Sequence, residues 1–204
     1  MAVIVYLHGF NSSPQSTKAR QTAAWLAQHA PQHGFQCPAL LPYPGEAREQ
    51  IDALVREAGD DVWLIGSSLG GFYATWLAAR HDLPAVLINP SVHPYHTLRD
   101  YLGPNRNLYT DMPWEFRPEH IDELEAMRVE PLPQPKRFMV LVQTGDEVLD
   151  YREAESKYAH GHLIIEEGGD HSFRDFERHL PAMLAFFESF AAAGRKPLRN
   201  PLTD

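Results

Sequence analysis

The stretch VWLIGSSLGGFYATW, residues 62–76, constrains the fold of this 204-residue chain more than any other. An apolar run suited to a strand stops at a glycine-rich turn, after which apolar residues recur at helical spacing. The turn carries the pattern G-x-S-x-G, in which the central serine sits on a strained backbone with its hydroxyl exposed. Ser68 is therefore the expected nucleophile. Gly66 and Gly70 face each other across the turn, where a Cβ atom would clash.

The same five residues have other interpretations. A phosphate-binding loop is excluded because the pattern lacks the G-K-[ST] ending that such loops carry. A plain connection between a strand and a helix stays possible on this pattern alone. Partner residues elsewhere in the chain must therefore decide between a connection and a nucleophile.

Composition and charge exclude several classes of protein. The chain is 44% hydrophobic, enough for one substantial core, and its net charge of −9 comes from 27 acidic and 18 basic residues. A chain this acidic repels nucleic acid and anionic membranes, so we expect neither as a partner. The one cysteine, Cys37, excludes an internal disulfide framework and a multi-cysteine metal site. No pattern indicates a cofactor.

The N-terminal segment indicates the compartment. Residues 2–7 read as an apolar strand, without the basic region and cleavage site of an export signal. No run of about 18 apolar residues is present, so we expect no membrane span. The sequence predicts a cytoplasmic protein and leaves its oligomeric state open.

Strand and helix patterns alternate along the chain, which predicts a doubly wound, mostly parallel six-stranded α/β sheet in a single domain, residues 1–194. Strands are expected at residues 2–7, 36–41, 62–65, 85–88, 137–142 and 162–165. Pro38 places the second strand at an edge. The region of about 91–135, rich in Pro, Tyr, His and Arg, reads as a short lid-like insertion with helices near 98–102 and 118–127. Residues 195–204 read as a flexible tail.

Four polar turns follow strands and should meet at one edge of the sheet, where α/β proteins bind ligands. His171 lies in a glycine-flanked turn after the last strand and is the expected general base. The chain order serine, acid, histidine is typical of hydrolases whose serine lies in a G-x-S-x-G turn on an α/β sheet. Asp146, just past the fifth strand, is the expected acid. Asp150 remains the alternative, although it begins the next helix and suits an N-cap. Asp170 is expected to point elsewhere.

Acyl transfer also needs donors for a developing oxyanion. The backbone N–H groups of Leu69 and Phe10 are the candidates, and His8 is expected to fix the loop that carries Phe10. Phe10, Tyr95 and Tyr101 are candidate substrate-binding residues, although aromatic residues of this kind can equally cover the sheet. The pairs His93/His96 and His160/His162 lack a further ligand at a recognised spacing, so no metal is expected.

Five blocks, YLHGFNSSP, GSSLGGFYATWLA, INPSVHPYHTLRDYLG, QTGDEVLDYREA and EEGGDHSF, resemble the small bacterial YqiA-like esterases of the α/β-hydrolase superfamily. The resemblance implies hydrolysis of carboxylic esters, extending to acyl-CoA thioesters, with Ser68, Asp146 and His171 on the triad positions. It also implies a core without the two antiparallel strands that open larger hydrolases. His93 departs from the family pattern, which suggests arginine there.

The leading hypothesis is thus a serine esterase acting on a small-molecule ester or thioester through an acyl-enzyme on Ser68. Two alternatives remain: a non-catalytic binding or regulatory module on the same fold, and an acyltransferase or peptidase that uses the same triad.

Overall fold

The computed structural model describes residues 1–192, and the tail expected at 195–204 lies outside the described residues. The strands are β1 Val3–Leu7, β2 Gly34–Gln36, β3 Val62–Ser67, β4 Ala85–Ile88, β5 Gly103–Arg106, β6 Pro113–Phe116, β7 Phe138–Gln143 and β8 His162–Glu166. The α-helices are α1 Thr17–His29, α2 Pro44–Ala58, α3 Leu69–His81, α4 Pro94–Thr97, α5 Pro118–Glu125, α6 Tyr151–Lys157 and α7 Leu180–Ala192. Short 3-10 helices span Leu98–Tyr101, Pro135–Arg137 and Phe176–His179.

Six strands form one sheet in the order β2-β1-β3-β4-β7-β8, and every neighbouring pair is parallel. The central strands β3, β4 and β7 are buried along their whole length, which explains why they read as continuous apolar runs. The predicted six-stranded α/β architecture is confirmed. The four polar turns named in the sequence analysis lie at the carboxyl ends of β1, β3, β7 and β8.

Helices cover both faces of the sheet. Val5 and Leu7 of β1 point into a core shared with α2 and α3, whereas the alternate residues Ile4 and Tyr6 point into a core shared with α1 and α7. This alternation follows from the two-residue period of a strand. Trp63 of β3 stacks on Phe187 of α7, with ring centroids 5.1 Å apart, and this contact packs α7 against the second face of the sheet.

The second strand differs from its prediction. It was expected at residues 36–41 but spans Gly34–Gln36, and it does lie at an edge of the sheet. Pro38 has no N–H to donate to a neighbouring strand. The N–H groups of Leu40 and Leu41 donate to side chains instead, to His8 and Gln50. The segment after Gln36 is therefore hydrogen-bonded to the loop after β1 and to α2, and it does not extend the sheet.

The insertion leaves β4 and returns at β7, two strands that are neighbours in the sheet. It contains an antiparallel hairpin, β5–β6, that the sequence analysis did not predict. The two expected short helices are present, as α4 with its 3-10 extension and as α5. Phe116, Ile121 and Leu124 of the insertion are fully buried, so this segment contributes to the core.

The last helix also starts later than predicted. The apolar spacing of residues 175–190 predicts one helix, which Pro181 either kinks or begins. In the structure a separate 3-10 helix occupies Phe176–His179, and α7 begins at Leu180. Pro181 is then the second residue of α7, where a missing N–H costs no hydrogen bond. Pro181 thus marks the beginning of the helix, which was one of the two interpretations of that residue.

Candidate active site

The turn between β3 and α3 holds Ser68 in a strained conformation. Its backbone has φ 55° and ψ −122°, a region that non-glycine residues rarely adopt. A Cβ atom on Gly66 would lie 2.3 Å from the carbonyl oxygen of Gly70, so only glycine fits there. The carbonyl of Ser68 accepts hydrogen bonds from the N–H groups of Gly71 at 2.8 Å and Ser91 at 3.0 Å. The loop after β4 therefore helps to hold the turn in this conformation.

Three distant residues meet beside this turn. The Nε2 atom of His171 lies 3.1 Å from Oγ of Ser68, and its Nδ1 atom lies 2.8 Å from Oδ2 of Asp146. The Asp146 side chain is 2% exposed and accepts the N–H groups of Val148 and Leu149, each at 2.9 Å. A carboxylate so placed accepts the Nδ1 proton, which leaves Nε2 of the neutral ring free to accept the serine proton.

Asp150 and Asp170, the other two aspartates near these turns, have different partners. Asp150 caps α6 by accepting the N–H of Arg152 at 3.0 Å, as its sequence position suggested. Asp170 pairs with Arg174 at 2.7 Å, and that hydrogen bond lowers the pKa of the Asp170 carboxyl. Asp146 is thus the carboxylate that the structure brings to His171.

Two buried amide side chains, which the sequence analysis missed, hold the loop that carries His171. Oε1 of Gln143 accepts the N–H groups of Asp170 at 3.2 Å and Arg174 at 2.8 Å. Nδ2 of Asn89 donates to the carbonyls of Asp170 at 3.0 Å and His171 at 3.2 Å. Gln143 is the last residue of β7, and Asn89 directly follows β4. A polar residue at the end of a buried strand is the sequence signal that could have identified them.

The loop after β1 lies directly against Ser68. A Cβ atom on Gly9 would lie 3.2 Å from Cβ of Ser68. His8 is buried; its Nδ1 donates to the carbonyl of Gly9 at 3.0 Å and its Nε2 accepts the N–H of Leu40 at 3.1 Å. Burial also lowers the pKa of the His8 ring, which favours this neutral form. His8 therefore fixes the loop, as expected.

Two N–H groups at this edge are candidates for binding an oxyanion. Leu69 is the first residue of α3, so its N–H has no acceptor within the helix. The N–H of Phe10 takes no part in the loop and turn hydrogen bonds of residues 1–192. Both residues line the cleft beside Ser68. These are the two donors that the sequence analysis named.

An open cleft of about 1100 Å³ contains Ser68 and His171. Phe10 and Tyr101 line it, as expected, and Tyr101 is 49% exposed. Tyr95 does not line it: the side chain is 2% exposed, and α4 packs it into the core near Phe72. Tyr95 is therefore corrected from a substrate-binding candidate to a core residue. Further apolar lining residues are Leu98, Leu108, Tyr109, Val148 and Leu149.

The charges around the cleft are mostly negative. Four exposed carboxylates line it: Asp100, Glu147, Asp175 and Glu177. Within residues 1–192, Lys18 is the one lysine or arginine of the lining, and its Nζ donates to the carbonyl of Ser172 at 2.8 Å. Burial lowers the pKa of Lys18, while the charges of Asp170 and Asp146 oppose that shift. His93, the departure from the family pattern, lies outside the cleft lining and contacts Glu153.

The described residues offer little support for metal, thiol or membrane chemistry. In the part of the chain that the structure covers, no three His, Cys, Asp or Glu side chains are grouped so as to hold a metal ion. Burial raises the pKa of the Cys37 thiol to about 12, which keeps it protonated. None of the helices within residues 1–192 has the length and apolar character needed to cross a bilayer.

A parallel sheet with helices on both faces and a serine on the turn after its central strand β3 defines the class: the chain has the α/β-hydrolase fold. It belongs to the Uncharacterised protein family (UPF0227), whose family model matches residues 3–188. The resemblance to the YqiA-like family is thereby confirmed.

Relatives and solved structures agree with this assignment. The UPF0227 protein YcfP of Salmonella arizonae is 25% identical over 199 residues, which cover 90% of this chain and 98% of YcfP. Alpha/beta hydrolase domain-containing protein 10 from mouse has a TM-score of 0.71 at 17% identity, covering 94% of this chain and 90% of that one. The esterase domain of a Rhodothermus marinus protein has a TM-score of 0.61 at 15% identity, covering 96% and 87%. At these identities the solved structures establish the fold.

Proposed function

We propose that this protein is a serine esterase. The observation that carries the proposal is the unbroken hydrogen-bonded chain from Ser68 through His171 to Asp146, at the edge of an open cleft. Nucleophile, base and orienting acid are the three groups that acyl transfer to a serine requires.

In the proposed reaction, Oγ of Ser68 attacks the ester carbonyl while Nε2 of His171 takes its proton. The N–H groups of Phe10 and Leu69 donate hydrogen bonds to the oxyanion of the tetrahedral intermediate. His171 then returns the proton to the leaving alcohol, and water releases the acid by the same steps in reverse. Asp146 holds the imidazole tautomer and stabilises the imidazolium.

The cleft lining favours uncharged esters with an apolar part. Tyr101, Leu108 and Val148 offer apolar surface, whereas four carboxylates surround the cleft. An acyl-CoA carries several phosphate charges, which this negative surface repels. We therefore propose carboxylic esters as better substrates than acyl-CoA thioesters.

Covalent labelling tests the nucleophile. A fluorophosphonate should modify Ser68, as mapped by mass spectrometry, and Ser68→Ala should abolish both labelling and hydrolysis of a p-nitrophenyl ester. Ser172→Ala is the matched control, because Ser172 also lines the cleft but is not hydrogen-bonded to His171 Nε2. Labelling of another residue, or hydrolysis that survives Ser68→Ala, contradicts the proposal.

The alternatives are separated by substrate. Comparing kcat/KM across p-nitrophenyl esters, acyl-CoAs and amides assigns the bond that is cleaved, and added alcohol acceptors reveal acyl transfer. A binding module would turn over none of them.

A further inference from the structure

Asn11, in the loop after β1, is hydrogen-bonded to the insertion through its side chain and its backbone. The indole N–H of Trp114 donates to Oδ1 of Asn11 at 2.8 Å, and Nδ2 of Asn11 donates to Oδ1 of Asn105 at 3.1 Å. The backbone joins in, because the N–H of Leu108 donates to the carbonyl of Asn11 at 2.9 Å. Through these bonds both strands of the β5–β6 hairpin, and the turn between them, are tied to the loop.

The residue before Asn11 is held by the same segment. The ring of Phe10 packs edge-on against Tyr101 and Trp114, each with centroids 5.5 Å away, and against Phe116 at 5.7 Å. Edge-to-face contacts at these distances are favourable and directional. The insertion therefore helps to orient the side chain of Phe10.

The backbone at Asn11 explains why an asparagine stands there. Its φ is 52°, in the left-handed region that asparagine tolerates better than most residues. Asparagine also supplies one acceptor and one donor, and both are used, by Trp114 and Asn105. The conformation of Asn11 sets the direction of the chain directly after Phe10, which lines the cleft.

We propose that Asn11 is a positioning residue, which aligns the N–H of Phe10 for the oxyanion by locking the loop to the β5–β6 hairpin. The inference rests on the proposed esterase function. Its consequence is that the insertion supports the transition state in addition to lining the cleft. A donor moved by about 1 Å can cost about 100-fold in rate, so losses of about 10- to 100-fold are expected.

Two variants test the link from opposite sides. Asn11→Gly keeps the left-handed backbone accessible but removes both side-chain hydrogen bonds, and Trp114→Phe removes only the indole donor. Each should lower kcat on a p-nitrophenyl ester with KM nearly unchanged, Asn11→Gly by about 10- to 100-fold and Trp114→Phe by less. Binding of a trifluoromethyl ketone, whose adduct carries an oxyanion, should weaken in parallel with kcat/KM.

Trp76→Phe is the matched control, because Trp76 lies in a separate surface pocket beside Arg80 and should leave kcat unchanged. In the double variant, Trp114→Phe should add little to the loss from Asn11→Gly, since both remove the same bond. Full activity of Asn11→Gly, or fully additive losses, overturns the inference. A lower Tm with unchanged kcat also overturns it, because that is the result of a merely structural role. Failure of the wild-type protein to hydrolyse any ester is a different outcome, which contradicts the proposed function itself.

Discussion

Nε2 of Gln143 donates a hydrogen bond to Oε2 of Glu166 at 3.0 Å, which joins the end of β7 to the end of β8. The oxygen of the same amide accepts two N–H groups from the loop that carries His171. The position of the imidazole is thus set by a buried side chain that does not touch it.

Replacing Gln143 should lower both stability and activity. In Gln143→Leu the N–H groups of Asp170 and Arg174 lose their acceptor in a part-buried loop, which costs at most about 1–3 kcal/mol for each group. Urea denaturation should show the loss, and kcat should fall because His171 is less well aligned. Gln28→Leu, on the exposed side of α1, is the control and should change neither quantity. Unchanged kcat in Gln143→Leu would remove Gln143 from this role.

The two glycines that precede Asp170 should respond differently to alanine. Both have positive φ, 76° at Gly168 and 75° at Gly169, so both substitutions carry backbone strain of about 1–2 kcal/mol. A Cβ atom on Gly168 meets nothing within 4 Å, whereas one on Gly169 would lie 2.0 Å from Oε1 of Gln143. Gly169→Ala should therefore lose clearly more stability and activity than Gly168→Ala, in thermal unfolding and in kcat. Equal effects would contradict this account of the loop.

The stability of the protein should depend on pH through Glu166. Burial, the largest single effect, raises the pKa of this carboxyl, but hydrogen bonds from Gln143 and Arg178 and the charges of His179 and Arg178 together lower it below its ordinary value. A pKa lowered by folding stabilises the protein above the unfolded-state value of about 4.3, and that contribution is lost as the pH falls through the folded-state pKa.

Urea titrations of wild type and Glu166→Gln check this dependence. The difference in free energy of unfolding between wild type and Glu166→Gln should be largest from about pH 5.5 upward, and it should shrink as the pH falls below about 4.3. A difference that is constant over this range would show that Glu166 does not gain stability from its charge.

Asp146 and Asp150 should be distinguished by amide substitution. Asp146→Asn keeps the shape of the side chain but no longer enforces the tautomer of His171, so kcat should fall by about 10⁴-fold with the fold retained. Asp150→Asn should stay near wild type, because asparagine caps a helix as well as aspartate does. The measurement is kcat/KM on one ester for both variants, with circular dichroism as the check on folding. The reverse ranking would exchange the two assignments.

Local patterns in the sequence were enough to predict the sheet and the turns at its edge. The continuous apolar runs of β3 and β7 and the glycine-rich turn at Ser68 are short-range signals, and each corresponds to a structural element. His171 and Asp146 could be named because their turns follow strands whose ends must meet in a parallel sheet. The chain order serine, acid, histidine, which is typical of α/β hydrolases, then selected His171 among the histidines.

The features that were missed depend on contacts between distant segments. Asn89 and Gln143 acquire their role from a loop at residues 168–174, about 30 or more residues away in sequence, which no local pattern reveals. The β5–β6 hairpin contains Pro104 and Pro113 and little apolar alternation, so its composition resembles a loop. Tyr95 was misassigned because a short helix packs it inward, and a tyrosine in sequence gives no indication of that direction.

The buried side chains Ile121 and Leu124 have a consequence for how a substrate enters. If the insertion moved away from the sheet as a unit, these residues would be exposed to water. The free-energy cost of that exposure is about 1.5–3 kcal/mol for each aliphatic side chain. We therefore expect the insertion to stay in place while an ester enters the cleft that contains Ser68. Turnover should rise smoothly with ester concentration, with no jump when the ester begins to form droplets.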